Sequence, residues 1–192
     1  MGKIRIGISG WRYPPWRGVF YPAGFPQHRE LEYASREFPT IEVNGTFYSL
    51  QKPDSFERWY HDTPPDFVFS VKGPRYITHI KRLKDIEGPL ANFFASGIFN
   101  LREKLGPILW QFPPSFRYDA DKMKHFFQLL PGDTKQALRL ARRREPHMTG
   151  RVRLANDATR NLRHAIEIRH ESFVDESFVQ LLREHNIALV VA

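Results

Sequence analysis

Four ionisable residues stand at the ends of short apolar segments, and their types suit acid–base chemistry. Glu42 and Glu167 are carboxylates, whereas Lys72 and Arg169 are cations. Two carboxylates that converge on a polar pocket can act as general acid and general base, or can bind a divalent metal. The alternative is a charge-balanced set that only satisfies buried groups, and the sequence leaves it open.

The two cations indicate a negatively charged ligand. Arg169 suits a bidentate contact with a carboxylate or phosphate, although an ion pair with Glu42 or Glu167 is equally consistent with the sequence. Lys72 could bind an anion or form a Schiff base as a nucleophile. Neighbouring carboxylates would stabilise its charged form, so anion binding is favoured.

Polar and aromatic candidates for ligand binding lie near the same strand ends: Trp11, Asn44, Tyr48, Tyr76 and Gln111. The two amides suit a hydroxyl-rich ligand, or they cap loop backbone. The rings could stack on a sugar or a base, or pack beneath the loops. Trp11 is the strongest candidate because it directly follows a predicted strand end.

Two histidines could extend the site. His79 and His170 lie in the loops after the third and fifth predicted strands, so with Glu42 and Glu167 they could hold a divalent metal. The sequence has no HxxxH or HxH spacing, and each histidine could instead brace its loop. No metal ligand is assigned, and a divalent metal stays a possibility.

A shared period-two alternation predicts the elements that position these residues. Successive strand side chains point to opposite faces, and one parity is apolar while the other is mostly polar. Helical sequence separates the segments, which predicts an α/β fold, a TIM-type (β/α) barrel with a site at its carboxyl-terminal mouth. The segments are Ile4–Ser9, Thr40–Asn44, Phe67–Lys72, Ile108–Gln111 and Ala165–Arg169, with a sixth strand at Ile187–Val191.

Glycine and proline set several predicted limits. A helix is expected within Glu87–Lys104, and Gly106-Pro107 is expected to end the helical segment before the fourth strand. Residues 145–163 are expected to form a mobile loop.

The composition describes a basic protein without cysteine. The 192 residues are 41% hydrophobic, which is enough for one substantial core. No apolar run approaches the roughly 20 residues of a membrane span, and no secretory signal is evident, so a cytoplasmic location without membrane contact is expected. A thiolate nucleophile and a cysteine metal site are excluded. P-loop, GxSxG and HExxH motifs are absent as well.

Most of the net charge of +8 lies in one segment. Residues 133–163 carry nine lysines and arginines against three carboxylates, and we interpret them as a basic inserted segment within a single domain. Arg142, Arg143 and Arg144 are typical of a solvated helix face, or they contact nucleic-acid phosphates.

The length predicts an incomplete barrel. An eight-stranded barrel usually needs about 250 residues, whereas the sixth predicted strand ends beside Ala192. We expect a single domain over residues 1–192, truncated at its C-terminus to about six strands; a natural six-unit open sheet is the alternative.

Short motifs spread along almost the whole chain occur in the same order as in a known family. They are Ile8-Ser9-Gly10-Trp11, Phe20-Tyr21-Pro22, Glu42-Val43-Asn44, Thr46-Phe47-Tyr48, Ile77-Thr78-His79, Gln111-Phe112-Pro113-Pro114 and Glu167-Ile168-Arg169-His170. With these motifs the sequence resembles the YecE-like family, domain of unknown function 72. The resemblance implies a fold similar to TIM barrels, a grouping with sugar-isomerase-like proteins and a site at the carboxyl-terminal mouth, but no reaction. Family members usually continue past the sixth strand.

These observations predict an enzyme, isomerase-like or hydrolase-like, that acts on a small polar anionic or sugar-like ligand. One alternative is an endonuclease-like barrel that binds or processes nucleic acid. Another is a binding module without turnover, or an inactive fragment.

Overall fold

The structure, a computed structural model, describes residues 3–191. Met1, Gly2 and Ala192, which the predicted domain includes, lie outside the described residues. Six parallel strands form one sheet in the order β1-β2-β3-β4-β5-β6. They are β1 (Ile8–Ser9), β2 (Thr40–Val43), β3 (Val68–Lys72), β4 (Leu105–Gln111), β5 (His164–Glu167) and β6 (Ala188–Val190).

Helices occupy each connection between consecutive strands. They are α1 (Glu30–Glu37), α2 (Gly45–Tyr48), α3 (Pro53–Asp62), α4 (Glu87–Ala95), α5 (Ala120–Leu129), α6 (Thr134–Ala141) and α7 (Glu176–Glu184). Short 3-10 turns lie at Pro14–Trp16, Gln27–Arg29, Ile98–Lys104, Pro146–Met148 and Glu171–Phe173, and a π-helical turn lies at Tyr76–Ile80. The predicted α/β class is confirmed. None of the helices described is long and apolar enough to cross a bilayer.

The apolar parity of the strands builds the core. None of its seven central members is more than 1% exposed: Ile41, Val43, Phe69, Val71, Ile108, Trp110 and Ile166. Phe93 and Phe126, from α4 and α5, pack their rings against Trp110 at centroid distances of 5.8 and 5.4 Å. The alternation in the sequence therefore identifies the face that the helices cover.

Aspartates begin three of the helices. Asp119, Asp133 and Asp175 each accept a hydrogen bond from a backbone N–H two or three residues on, before α5, α6 and α7 respectively. Such a bond satisfies a donor that the first turn of a helix leaves free.

The first strand is shorter than predicted. It begins at Ile8 rather than Ile4, and Ile4 and Ile6 are 89% and 77% exposed. In the described chain β1 pairs with β2 alone, through Ile8–Ile41 and Ser9–Glu42. Alternating apolar residues do not make a strand where no neighbouring layer buries them.

Gly106-Pro107 lies inside β4, whereas the prediction placed it before the strand, at the end of the helical segment. A Cβ on Gly106 would lie 2.5 Å from the carbonyl oxygen of Phe69, so only glycine permits this approach of β4 to β3. The pairing register shifts between Phe69 and Val71. This irregularity accommodates Pro107, which has no N–H to donate.

The helix predicted within Glu87–Lys104 is confirmed as α4, which occupies the first half of that range. It ends at Ala95, and Gly97 then takes a left-handed φ of 97° before the 3-10 turn at Ile98–Lys104. A Cβ on Gly97 would lie 2.6 Å from the Cα of Pro53. The break thus follows from glycine and from close packing against α3.

Residues 145–163 contact the domain specifically. The N–H of Arg153 donates to the carbonyl oxygen of Ala95 at 2.9 Å. The Thr134 hydroxyl donates to the carbonyl of Ala158 and accepts from Asn156 and from the N–H of Arg160. The segment expected to be a mobile loop is bonded to α4 and α6.

We predict that stability falls in acid through His164. Trp110 Nε1 donates to His164 Nδ1 at 3.1 Å, and His164 Nε2 lies 2.9 Å from the carbonyl oxygen of Pro131, so the neutral ring satisfies both partners. Burial lowers the pKa of His164 below its ordinary 6.5. The unfolded chain therefore binds a proton first, and the free energy of unfolding drops as pH falls from about 7 to 5.

Urea denaturation across this pH range measures the effect. His164→Gln keeps one donor and one acceptor but cannot titrate, so its pH slope should be shallower than that of the wild type. His28→Gln, at an exposed position, should retain the wild-type slope. Equal slopes for the wild type and His164→Gln would contradict the assignment.

Candidate functional site

The polar parity of the strands places the candidate side chains on the face opposite the helices. In the sheet register Ser9 lies beside Glu42, and Gln111 lies beside Glu167. Lys72 lies on β3, between these two pairs of strands, and is the register neighbour of Leu109 on β4. The structure groups these residues into two hydrogen-bonded clusters, one on β1–β3 and one on β4–β5.

The first cluster is centred on the Glu42 carboxylate. Ser9 Oγ donates to Glu42 Oε1 at 2.9 Å and accepts from Asn44 Nδ2 at 2.7 Å. Lys72 Nζ lies 3.8 Å from Glu42 Oε1 and 5.0 Å from the centroid of the Phe47 ring. These contacts hold the carboxylate in place. Its side chain is partly exposed, so a ligand can still reach it.

A cavity of about 670 Å³ opens beside this cluster. Its lining includes three cationic side chains, Arg12, Arg58 and Lys72, and no carboxylate. Trp11 and Trp59 provide an aromatic wall, with ring centroids 5.4 Å apart and planes at 83°. A cavity with this lining favours an anionic group that also offers hydroxyls or an apolar face.

Tyr21 fixes the backbone of Trp11. Its buried hydroxyl donates to the carbonyl oxygen of Trp11 at 2.5 Å. Burial raises the pKa of Tyr21 to about 12, with the nearby Glu30 carboxylate adding to the effect, so the donor keeps its proton. Glu30 in turn accepts from Arg17 at 2.8 Å. The long loop after β1 is therefore held at both of these points.

The second cluster surrounds Glu167. Gln111 Nε2 donates to Glu167 Oε1 and Oε2 at 2.7 and 2.8 Å, and Arg169 Nε donates to Oε1 at 2.8 Å. Glu167 is buried, whereas Arg169 is exposed. A buried carboxylate needs such partners, so Arg169 here takes the ion-pair role rather than presenting both nitrogens to a ligand.

His79 lies on the π-helical turn between the clusters. Its ring meets the Phe47 ring edge-on at 5.1 Å, and its Nδ1 lies 2.9 Å from Thr78 Oγ1. Burial lowers the pKa of His79, and the positive charges of Arg75 and Lys72 lower it further. The imidazole is consequently neutral near pH 7 and can accept a proton.

His170 braces its own loop. Its Nδ1 accepts from the N–H of Ser172 at 3.0 Å, at the start of the turn Glu171–Phe173. Within residues 3–191, no three His, Cys, Asp or Glu side chains gather closely enough to hold a metal ion. The carboxylates Glu42 and Glu167 belong to separate clusters.

Several residues of the cavity are not evident from strand periodicity. Arg12 belongs to the loop after β1, whereas Ser55, Arg58 and Trp59 belong to α3. Ser55 and Arg58 are three residues apart, so they share a helix face. This polar helix face was the one sequence signal that could have identified these residues as part of the site, but it resembles an ordinary solvated helix surface.

The parallel sheet, its helical cover and the polar ends of its strands place the chain among α/β proteins. The sequence matches, over residues 5–192, the model of the family described as "Protein of unknown function DUF72". The chain belongs to this family, as the motifs at its strand ends predict.

Curated relatives match part of the chain. UPF0759 protein YecE of Escherichia coli (strain K12) is 30% identical over 131 residues, which cover 68% of this chain and 45% of the relative. UPF0759 protein YunF of Bacillus subtilis (strain 168) is 30% identical over 118 residues, which cover 59% of this chain and 41% of the relative. The matched region thus spans less than half the length of either relative.

Solved structures share the fold. A DUF72 family protein from Thermotoga maritima MSB8 is 28% identical with a TM-score of 0.69, covering 97% of this chain and 64% of that one. A DUF72 family protein from Enterococcus faecalis V583 is 18% identical with a TM-score of 0.66, covering 98% of this chain and 60% of that one.

We predict that Gln111 stabilises the fold through Glu167. Gln111→Leu removes the donor that reaches both carboxylate oxygens, while Arg169 reaches Oε1 alone. Leaving a buried acceptor without its partner costs about 1–3 kcal/mol of unfolding free energy. Denaturant titration measures the loss. Gln180→Leu, at an exposed position, should change stability by less than about 0.5 kcal/mol; equal effects of the two substitutions would contradict the role of Gln111.

Proposed function

We propose that the chain forms the ligand-binding part of an enzyme that acts on a small anionic, sugar-like molecule. The observation that carries the proposal is the cavity beside Glu42, whose lining has three cationic side chains and no carboxylate. Amide and hydroxyl groups of Asn44, Gln51 and Ser55 also line it and match a ligand rich in hydroxyls. Isomerisation and hydrolysis both fit this chemistry.

The strand order supports a barrel as the framework. Each strand pairs with its neighbours in sequence from β1 to β6, without the reversal of order found in a doubly wound sheet. Sequential parallel strands with helices between them are the arrangement of a (β/α) barrel, whose sites lie at the carboxyl ends of the strands. We propose that the six strands are part of such a barrel and that the cavity lies at its mouth.

Within the proposed site each residue has a distinct role. Glu42 is the acid–base candidate because its carboxylate is fixed by Ser9 yet partly exposed. Lys72 binds negative charge, and Trp11 covers an apolar face of the ligand. The buried Glu167 is bonded to Gln111 and Arg169 and is assigned a positioning role.

We predict that Lys72 determines the affinity for anions. In a thermal-shift assay, glucose 6-phosphate or ribose 5-phosphate should raise the melting temperature more than the free sugars do, because binding to the native state stabilises it. Lys72→Met should weaken binding of the phosphates about tenfold or more, the worth of one charge-assisted contact. Lys84→Met, at an exposed position outside the cavity lining, should bind like the wild type.

The variants separate the possible outcomes. Phosphate binding of wild-type affinity in Lys72→Met would place the anion elsewhere and contradict the proposal. Proton NMR of the incubated sugars detects turnover, which Glu42→Gln should abolish while binding remains. Specific binding without turnover in the wild type would favour the binding module over the enzyme.

A basic patch on α6 favours a second candidate function, nucleic-acid binding. Lys135, Arg139 and Arg142 line a depression of about 190 Å³ with no carboxylate in its lining. Arg143 and Arg144 do not line it. Cations spaced along one helix face can follow a phosphate backbone.

We predict that any binding to RNA through this patch weakens steeply with salt. Fluorescence anisotropy with labelled single-stranded RNA should give a slope of log K against log salt near −0.7 per phosphate contact. The combined variant Lys135→Gln, Arg139→Gln, Arg142→Gln should lose this binding. A control with exposed Arg117, Lys124 and Arg183 changed to glutamine should retain it, and equal loss in both would indicate nonspecific attraction.

A further inference from the structure

A second cavity of about 430 Å³ adjoins the first, with Tyr48 lining both. Its other walls come from the segment after β3, from α4 and from the basic segment, through Pro74, Tyr76, Pro89 and Glu145. Three remote parts of the chain therefore meet at one opening. The function proposed above uses none of this space.

Exposed aromatic rings form one side of the second cavity. Tyr48 and Tyr76 are 71% and 48% exposed, although both rings line the concave surface. Phe47 also lines the cavity, with its ring 5.2 Å from that of Tyr48 at an angle of 89°. Ring faces of tyrosine and phenylalanine attract cations through their quadrupoles.

A carboxylate held by hydrogen bonds also lines the second cavity. Glu145 Oε2 accepts from Asn92 Nδ2 at 2.5 Å, and the N–H of Glu145 donates to Asn92 Oδ1 at 2.9 Å. Asn92 is itself buried, so this pair of bonds anchors Glu145 at the rim of the cavity. His147 Nδ1 lies 3.8 Å from Glu145 Oε2.

The two cavities carry opposite charge. Arginine and lysine line the first, whereas the lining of the second contains one carboxylate, one histidine and neither lysine nor arginine. Aromatic rings together with a carboxylate recognise an organic ammonium group. A neutral apolar ligand would use the rings but would gain nothing from the negative charge of Glu145.

We propose that the second cavity is a subsite for an amine or quaternary ammonium group, held by the rings of Tyr48 and Tyr76 and by the Glu145 carboxylate. Resting on the proposed function, this subsite narrows the substrate to a molecule that carries an anionic group at one end and an amine at the other. An amino sugar phosphate has this chemistry.

Choline tests the subsite directly, because 3,3-dimethyl-1-butanol has the same shape without the charge. Saturation-transfer NMR or calorimetry on the full chain should show binding of choline and about tenfold weaker binding of the neutral isostere, since the isostere lacks the charge that the carboxylate and the rings attract. Glu145→Gln keeps an acceptor for Asn92 and should remove the preference for choline.

The aromatic contribution has its own matched variants. Tyr76→Leu should weaken choline binding several-fold, while Tyr76→Phe keeps the ring face and should restore it. Glu171→Gln, at an exposed position outside both linings, should leave choline binding unchanged. Equal binding of choline and its isostere, or choline binding unaffected by Glu145→Gln, would overturn the proposal, as would no binding of choline at millimolar concentration.

Separate arms distinguish the subsite from the proposed function. Lys72→Met should weaken binding of glucose 6-phosphate about tenfold or more and leave choline binding intact, so the failure of either site is seen alone. Glucosamine 6-phosphate should bind more tightly than glucose 6-phosphate, and Glu145→Gln should remove the difference. Equal affinities would overturn the inferred substrate class, even where choline binds.

Discussion

The burial of one face of the sheet under the helices is the constraint on which the rest of the structure depends. Ile41, Phe69, Ile108 and Ile166 on that face are fully buried, and each contributes on the order of 1.5–3 kcal/mol through the hydrophobic effect. A shift of one residue in any strand would exchange its two faces. In β2 and β3 that shift would put Glu42 and Lys72 beneath the helices. The apolar parity therefore fixes the opposite, polar parity on the other side of the sheet.

Charged residues on that polar face must then find partners, and the strand register decides which partners they find. Ser9 is the register neighbour of Glu42, and Gln111 is that of Glu167. Each carboxylate accepts a hydrogen bond from its neighbour, which offsets the loss of water around it. Two local clusters result, and the one at Glu42 adjoins a cavity lined by cations.

Periodicity predicted most of the fold because it reports directly on burial. It identified the strands and the helical sequence between them, but it overextended the first strand to Ile4. Gly97 and Gly106 act through close approaches to Pro53 and Phe69. Those approaches depend on tertiary packing, which no local pattern contains.

The sequence predicted which strand residues of the candidate site share a face, but not how they group or which helix residues join them. Strand parity places Glu42, Lys72, Gln111 and Glu167 on one face, as the structure has them. It does not show that Glu42 and Glu167 fall into separate clusters, since that depends on which strands are neighbours. Arg58 and Trp59 come from α3, and a helical side chain becomes part of a site only through the packing of its helix.

The two cavities have linings of opposite charge, and aromatic side chains contribute to both. Lys72 lies above the Phe47 ring, and His79 meets the same ring edge-on. Because the lowered pKa of His79 keeps it neutral near pH 7, it adds no positive charge beside the second cavity, where Glu145 is the carboxylate in the lining. A ligand with an anion at one end and an amine at the other would therefore be favoured in one orientation, with its polar middle beside Tyr48.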